Sequence, residues 1–469
     1  MPGPDSPHRR PVMAPKEQPA DVQDFAQPVS EAPLYTRKQV ASRPDLLIVH
    51  DEVYSAARFQ SQHPGGAVFV SMFGGRDATE AFMEYHSREF PRQRMAEFLE
   101  GRLHPDDKPT PYDKDYLKLA REVLKDLPNR GFAPAAYWVK LAVIMSAAVA
   151  TEAYLFFVER SLAGSLFLGW LFALIGLNIQ HDANHGTLSR HGNVNWFFGL
   201  AQDYIGGSSI LWLQEHVVLH HLFTNDTEKD PDIALGAPAI KLNPTHPVLP
   251  WYALQHLYVF PGQAMFGIKI LFLDFIELLR YQWVGVKISP LANYMYLPSI
   301  LMKLGFYFRF VVLPLYQNPS LHTAMCVLTT VMMGAGYLAF FFTLSHNFAG
   351  VAHVGPGGGT PRDASFMKRQ VETSSNVGGR LLAVVNGGLN YQIEHHLFPR
   401  IHHAHYANIA PKVRVFCEKK GLKYVHYPTI TENLFAMMAY LRQQGTDKGK
   451  FSVSRTIATL RKVLLEDHH

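Results

Sequence analysis

Apolar residues are concentrated in a few long runs of the chain. Residues 141–158 and 162–179 are separated by a short turn, and each run is long enough for a helix to cross a bilayer. A third run covers residues 323–344, and residues 294–315 form its weaker partner because Lys303 and Arg309 interrupt them. The pattern predicts an all-α membrane domain of about four transmembrane helices arranged as two hairpins. Residues 266–280 carry four charges and are predicted to lie at the membrane surface.

The remaining patterns divide the chain into further segments. Residues 1–34 are rich in proline and charge and predict a disordered tail, whereas residues 35–104 alternate in the manner of a small α+β domain. Residues 46–49 predict a strand and residues 63–66 a tight turn. A linker with an amphipathic helix follows at 105–130, then the membrane domain at 131–445 and a C-terminal tail at 446–469.

Composition adds three constraints. The mean hydropathy of -0.04 is that of a soluble protein, so the membrane character is confined to the apolar runs. The net charge of +5 without a Lys/Arg-rich block argues against nucleic acid as a partner and suits an anionic membrane surface. The predicted topology puts Cys326 and Cys417 at different membrane depths, so we expect no disulfide.

Three clusters of histidine follow or flank the apolar runs. In an α-helix, residues three or four apart share a face, so His181 and His185, His216 and His220, and Gln392 with His395 or His396 are each expected to point at one centre. The candidate catalytic metal ligands are His181, His185, His216, His220, His221, Gln392, His395 and His396. Imidazole binds zinc, copper, nickel or iron, and this set exceeds what one tetrahedral ion needs, so two metals are predicted.

A separate histidine pair lies in residues 35–104. His63 begins a His-Pro-Gly-Gly turn, and His86 follows a Gly-Arg-Asp-Ala-Thr segment and Phe82. These motifs resemble cytochrome b5, which implies a haem b held between His63 and His86. Paired glycines let the backbone approach a flat macrocycle, and two axial histidines leave no free position for dioxygen. We therefore expect this domain to transfer electrons only.

The haem motif and the three histidine clusters, in this order, resemble the front-end fatty-acid desaturases from Tyr35 to about Gly445. Gln392 stands where related membrane desaturases have histidine. Five stretches, including 176–190 and 386–400, look most like algal Δ4 desaturases that form docosahexaenoate. The resemblance implies two non-haem iron ions, with His346 as an additional ligand. By their positions, Asp182, Asn184, Asp230 and Asp232 are candidates for supporting the ligands or for capping helices. His402, His403 and His405 lie close downstream and either orient the ligands or form a solvated loop.

The implied function is insertion of a cis double bond, most closely matching Δ4, into a long-chain polyunsaturated acyl lipid or acyl-CoA. An unactivated methylene gives up no proton to a side-chain base, so dioxygen and two externally supplied electrons are required. The expected donor is an NADH-cytochrome b5 reductase acting through the fused haem. We expect an endoplasmic reticulum location with both termini in the cytosol, because an even number of spans gathers all the histidine clusters on one side.

Several alternatives stay open at this point. The same scaffold serves Δ5, Δ6 and Δ8 acyl desaturases and sphingolipid desaturases. A zinc-dependent membrane hydrolase also uses clustered histidines, although hydrolysis needs no electrons and leaves the haem unexplained. An electron carrier with merely structural histidines is the third alternative, and the number and spacing of the clusters argue against it.

Overall fold

A computed structural model describes residues 32–87, 90–234, 236–283 and 285–446. The tails predicted at 1–34 and 446–469 lie outside these residues apart from their inner ends. Within the described part, a small mixed domain precedes a large helical domain, as the sequence predicts.

The small domain contains a four-stranded sheet in the order β1-β4-β3-β2. The strands are Leu34–Tyr35 (β1), Leu46–Val49 (β2), Glu52–Ser55 (β3) and Leu99–Leu103 (β4). Strand β2 coincides with the predicted strand and is buried at all four positions, because both of its faces are covered. The helices of this domain are Arg37–Ala41, Ala56–Phe59, Gln60–Gln62, Ala67–Met72, Thr79–Tyr85 and Arg92–Ala96.

The amphipathic helix predicted after the small domain is Lys114–Leu124. Asp113 caps its N-terminus by accepting hydrogen bonds from the main-chain N–H groups of Asp115 and Tyr116. Its apolar face is buried, and the ring of Tyr116 packs against Phe366 and Phe398. An amphipathic helix can lie on the membrane surface or pack on the neighbouring domain, and this one packs on the domain.

Five helical stretches of the described chain are long and apolar enough to cross a membrane. They are Ala135–Phe157, Leu162–Asn184, Pro250–Arg280, Pro290–Gln317 and Leu321–His346. Four of them correspond to the predicted spans. Large apolar side chains such as Val139, Leu301 and Leu328 are exposed on these helices, and such a surface requires lipid around it. Thus the chain is a membrane protein.

The two charged residues that weaken the prediction for residues 294–315 both have polar partners within the protein. The ammonium group of Lys303 is buried and donates hydrogen bonds to the carbonyl oxygens of Gly206 and Ile270. The guanidinium of Arg309 lies 3.2 Å from the carboxylate of Glu152 on the first apolar helix. Because Lys303 is buried and Arg309 is paired with a carboxylate, both charges are compatible with a spanning helix.

Pro250–Arg280 is the apolar stretch where the sequence predicts only a surface helix over 266–280. Near its start, the Gln255 side chain donates a hydrogen bond to the carbonyl of Leu441. The helix that contains Leu441 begins near the histidine end of Leu321–His346, where Asn433 donates to the carbonyl of Leu344. Near its end, Leu278 packs in one cluster with Val217 and Val218. Both ends of this helix therefore contact elements that carry or flank the histidine clusters.

The elements outside the spans form a cap, which we define as residues 185–249, 281–289 and 347–446. Its helices are Gly192–Gly199, Ala201–Tyr204, Ser209–Trp212, Leu213–His220, His221–Phe223, Pro231–Ala234, Phe366–Glu372, Arg380–Asn386, Gln392–Leu397, His403–His405, Tyr406–Lys419 and Ile430–Thr446. Its strand pairs are Gln282–Trp283 with Val286–Lys287, His353–Val354 with Gly359–Thr360, and Ser375–Val377 with Val425–Tyr427.

The small domain is seated directly on this cap. A Cβ added at Gly192 would meet the Cα of Gly66 at 2.6 Å, so no side chain fits between the two backbones. Arg369 of the cap forms an ion pair with Glu80 of helix Thr79–Tyr85, and both side chains are largely buried. Arg76 donates a hydrogen bond to the carbonyl of Lys287. These contacts bring the His63 and His86 side of the small domain towards the histidine clusters.

Candidate metal centres

His63 and His86 face each other in the small domain, with their ring centroids 6.0 Å apart. The Nδ1 atom of His63 is 2.8 Å from the carbonyl of Gly66, and that of His86 is 3.1 Å from the carbonyl of Phe82. Each Nδ1 therefore carries the ring proton and donates a hydrogen bond to the carbonyl oxygen. The Nε2 atom of each ring is left with a free lone pair that can bind a metal. Burial lowers the pKa of His86 to about 3 and also lowers that of His63, so both rings are neutral. This pair fits a haem iron.

The histidines of the three sequence clusters meet in the second domain and separate into two groups. The first group comprises His181, His185, His216 and His395, and the second comprises His220, His346 and His396. Within each group the candidate ligand atoms lie within 4.8 Å of one another, and every residue is buried. Two adjoining groups correspond to the two metals that the sequence predicts, although no metal identity follows from this geometry.

The predicted pairing of His216 with His220 is wrong. The structure puts His216 in the first group and His220 in the second, because residues Leu213–His220 form a π-helical turn. In a π-helix, residues five apart are neighbours. His216 and His221 accordingly meet, with 3.2 Å between their Nε2 atoms, and the Nε2 of His221 also lies 3.0 Å from that of His395.

The first sequence cluster has the predicted pairing. Leu162–Ile175 continues through a π-helical turn at Gly176–Gln180 into His181–Asn184, so the cluster lies at the end of a buried apolar helix. The ring centroids of His181 and His185 are 4.7 Å apart. His181 is also 4.6 Å from the ring of His395, which comes from the third cluster. A chelate formed by neighbours in sequence is thus completed by a distant residue.

His346 lies in the second group, at the end of the apolar helix Leu321–His346. Its Nε2 atom is 3.3 Å from the Nε2 of His396 and 3.1 Å from the amide nitrogen of Gln392. Gln392 Oε1 is buried and has no hydrogen-bond partner among the described residues. Gln392 is four residues before His396 in one helix, so the two share a face as predicted.

Most ring nitrogens that point away from the two groups have a hydrogen-bond partner. The Nδ1 contacts are His185 to Tyr85 Oη (3.2 Å), His220 to Asp230 (3.3 Å), His346 to the carbonyl of Thr373 (3.1 Å), His395 to Tyr406 Oη (3.2 Å) and His396 to Gln370 Oε1 (3.1 Å). Asp232 also approaches His220 Nδ1, at 3.2 Å. Such outward bonds orient an imidazole and fix which nitrogen is left for a metal.

The inward atoms support the same assignment. In the part of the chain that the structure describes, both ring nitrogens of His181 and the Nε2 atoms of His185 and His220 are buried without a hydrogen-bond partner. Leaving a buried polar atom unpaired is costly, and each of these three histidines contributes a ligand atom to one of the two groups. Burial is the main cause of a strongly lowered pKa at His216, His221, His395 and His396, so these imidazoles are in the neutral, metal-binding form. The donor set fits metal ions.

Histidines 402, 403 and 405 form a separate network. His403 Nδ1 is 2.5 Å from a carboxylate oxygen of Asp182, and His403 Nε2 is 3.0 Å from the ammonium group of Lys140. His405 Nε2 donates to the carbonyl of Phe132. Asn184 instead donates to Gln180 Oε1. Because both nitrogens of His403 are engaged, this network is better suited to holding the His181 segment in place than to binding another ion.

Several contributing residues give no signal in the sequence. Tyr85, Tyr406, Gln370 and Thr373 lie outside the histidine clusters, and none occupies a spacing that marks a ligand. Tyr85 also belongs to the other domain. These residues approach the histidines only through the tertiary fold, so their contacts could not be anticipated from local pattern.

Comparison with known proteins agrees with this geometry. The model for cytochrome b5-like haem/steroid-binding domains matches residues 36–104, and the fatty acid desaturase model matches residues 160–428. The chain belongs to the fatty acid desaturase family. The family assignment makes this desaturase an oxidoreductase with a fused haem-domain module, and it removes the zinc hydrolase and the simple electron carrier from consideration.

Curated relatives cover most of this desaturase. Two of them, from Diacronema lutheri and Rebecca salina, are named acyl-lipid (7-3)-desaturases. Each is 56% identical over 422 residues, which span 90% and 89% of this chain and 95% and 94% of the respective relatives. An acyl-lipid (8-3)-desaturase from Physcomitrium patens is 31% identical over 85% of this chain and 88% of its own length.

Proposed function

We propose that this desaturase inserts a Δ4 cis double bond into a polyunsaturated acyl chain carried on a membrane lipid. Two non-haem iron ions occupy the two histidine groups, and electrons arrive through a haem bound by His63 and His86. The choice of Δ4 and of an acyl lipid rests on the two algal relatives whose names carry the (7-3) designation, which is of the Δ4 type.

The observation that carries the metal proposal is the opposed orientation of the ring nitrogens. Five histidines have Nδ1 hydrogen-bonded to an outward partner, while the Nε2 atoms of His185 and His220 are unpaired and belong to the two adjoining groups. Under this proposal His181, His185, His216, His221 and His395 bind one ion. His220, His346, His396 and the amide oxygen of Gln392 bind the other. Imidazole binds iron as well as zinc, copper and nickel, and membership of the desaturase family favours iron among these.

The bound iron pair would supply dioxygen-dependent removal of hydrogen from an unactivated methylene. The protein contributes position and exclusion of water. The groups lie at or beside the ends of three apolar or buried helices, two of which are long and apolar enough to cross a membrane, and this location suits an acyl chain held in the membrane. The Asp230 and Asp232 carboxylates at His220 Nδ1 stabilise the proton on that nitrogen and raise the electron density of the ring.

Reduction of dioxygen to water takes four electrons. The substrate provides two as its double bond forms, and two must come from outside. A haem with two axial histidines transfers electrons one at a time, which suits an NADH-cytochrome b5 reductase as the donor. We place both termini in the cytosol, where that donor operates, and assign the membrane to the endoplasmic reticulum. The contacts that both ends of Pro250–Arg280 make with the histidine-bearing elements support this orientation, because they favour a helix that does not cross and leave four crossings.

Feeding experiments test the regiochemistry. Yeast expressing the protein is supplied separately with a twenty-two-carbon acid that has a Δ7 bond, a twenty-carbon acid with a Δ8 bond, and an eighteen-carbon acid with a Δ9 bond. We expect product only from the first, including docosahexaenoate from omega-3 docosapentaenoate, and expect it in phospholipid before it is found in acyl-CoA. Product only from the second or third pool would make the enzyme Δ5 or Δ6.

Elemental analysis tests the metal proposal independently. The purified protein should contain two non-haem irons per haem. The variant His216→Ala should lose non-haem iron and activity, whereas His191→Ala should retain both, because His191 is exposed on the cap and belongs to neither group. Two zincs in active protein would overturn the proposed chemistry.

A further inference from the structure

Tyr85 connects the two candidate metal centres. It is the last residue of helix Thr79–Tyr85 in the haem domain, and His86 follows it directly. Its hydroxyl lies 3.2 Å from His185 Nδ1, in the first histidine group of the membrane domain. Tyr85 is therefore bonded through the main chain to His86 of the haem pair and through its hydroxyl to His185 of the first group.

The hydroxyl also determines how His185 is presented. His185 Nε2 is buried without a hydrogen-bond partner among the described residues and is the atom directed at the group. For Nε2 to bind a metal, the ring proton must reside on Nδ1. The Nδ1–H group can then donate a hydrogen bond to the Tyr85 oxygen. Tyr85 is thus placed to orient a ligand of the other domain.

Packing around Tyr85 keeps this contact in position. Its ring centroid lies 5.0 Å from that of Phe69. A Cβ at Gly186, the residue after His185, would come within 3.1 Å of the Phe69 ring, so the aromatic pair approaches the histidine segment closely. On the same helix, Glu80 is paired with Arg369 of the cap. The helix that carries Tyr85 is therefore fixed against the membrane domain at two points.

We propose that Tyr85 is a positioning residue for electron transfer between the domains, acting through its hydrogen bond to His185. This inference rests on the proposed function. A haem held by His63 and His86 would supply one electron, and an iron ion held by the first group would receive it. No covalent bond forms or breaks, and Tyr85 keeps its proton.

The chain supplies a matched control. Tyr406 makes the same kind of contact in the same group, with its hydroxyl 3.2 Å from His395 Nδ1, but it lies in the cap and far in sequence from either haem ligand. Tyr85→Phe and Tyr406→Phe each remove one hydroxyl and one outward hydrogen bond from a histidine of this group. Only the first also removes a link to the haem domain.

The experiment uses full-length protein purified in detergent with haem and non-haem iron bound. The haem is reduced by one electron without oxygen, and its reoxidation by the ferric site is followed by stopped-flow absorption. Tyr85→Phe should slow this phase roughly tenfold or more, with haem spectrum, haem potential and both metal contents unchanged. Tyr406→Phe should leave the phase within about twofold of the parent while lowering desaturation.

Two results would overturn the role of Tyr85. One is parental reoxidation in Tyr85→Phe, and the other is equal slowing in both variants, which would make the hydroxyl an ordinary ligand support. A parent protein that lacks two non-haem irons, or that forms no double bond, would instead refute the proposed function. Those two failures are separated because metal content and product are measured on the parent before any variant is compared.

Discussion

The two candidate metal centres differ in where their supporting contacts come from. In the haem domain, His63 and His86 donate from Nδ1 to carbonyl groups only three and four residues away. In the histidine groups, the outward partners of His185, His346 and His396 lie 100, 27 and 26 residues away. The first centre is oriented by its own segment of chain, whereas the second requires the whole fold.

This difference has a consequence for mutation. A haem ligand held by local main-chain bonds is insulated from changes elsewhere, because no distant side chain orients it. A histidine group held by distant side chains can be disturbed from many places, and each disturbance is expected to affect the membrane site without affecting the haem. The predictions below address that asymmetry in order of decreasing effect.

The largest effect is expected for His395→Ala. His395 contacts His181, His185 and His221 through its ring and comes from a different part of the chain than any of them. We expect loss of non-haem iron and a fall in desaturation of more than a hundredfold. The haem absorption spectrum should be unchanged. A variant with normal iron content would remove His395 from the ligand set.

His63→Ala should give the converse result. The variant should lose low-spin haem and NADH-supported desaturation, while the two non-haem irons stay bound, since His63 belongs to neither histidine group and its Nδ1 bonds within its own segment. Visible spectroscopy, iron analysis and product formation are measured on one preparation. Full activity with NADH and reductase would show that electrons reach the membrane site without this haem.

Gln392→Ala should be less severe than loss of a histidine. The alanine variant removes a candidate oxygen ligand and the amide group beside His346, while His220, His346 and His396 are retained. We expect activity to fall roughly ten- to a hundredfold with normal accumulation in the membrane. Gln392→His restores a metal ligand and is the informative companion. Near-parental turnover of the alanine variant would reduce the second group to its three histidines.

The smallest effect is expected for Thr224→Val. Its hydroxyl lies 3.2 Å from His396 Nδ1, but Gln370 Oε1 serves the same nitrogen at 3.1 Å, so His396 keeps an outward partner. We expect the free energy of unfolding to fall by about 1 kcal/mol, with non-haem iron retained. Loss of iron from this variant would show that Thr224, rather than Gln370, orients His396.

The sequence predicts the local features of this protein well. The haem pair, the four spans and the pairing of His181 with His185 follow from motifs, run length and α-helical spacing. The pairing of His216 with His220 fails for a physical reason, because the π-helical turn at Leu213–His220 changes which residues share a face. The spacing of the histidines is the same whether the turn is α-helical or π-helical, so the sequence does not distinguish the two.

The apolar helix Pro250–Arg280 illustrates a second limit. Length and hydropathy alone qualify it as a span, whereas its charges indicate a surface helix. Its largely buried Lys269 lies 3.1 Å from Asp274 and 3.9 Å from Glu215 of the cap. The charges of Lys269 and Asp274 are therefore paired within the protein. Whether a charged apolar helix crosses a membrane depends on such partners, and a single sequence does not reveal them.

The close seating of Gly66 on Gly192 has a consequence for the timing of turnover. A haem domain held in this way cannot swing between a distant donor and the membrane site, so reductase molecules must come to it. One haem stores one electron, and each double bond requires two deliveries from outside. The interval between those two encounters is set by how densely the reductase populates the same membrane. Under the proposed function, scarcity of reductase would lengthen the half-reduced waiting period without altering any step within the desaturase.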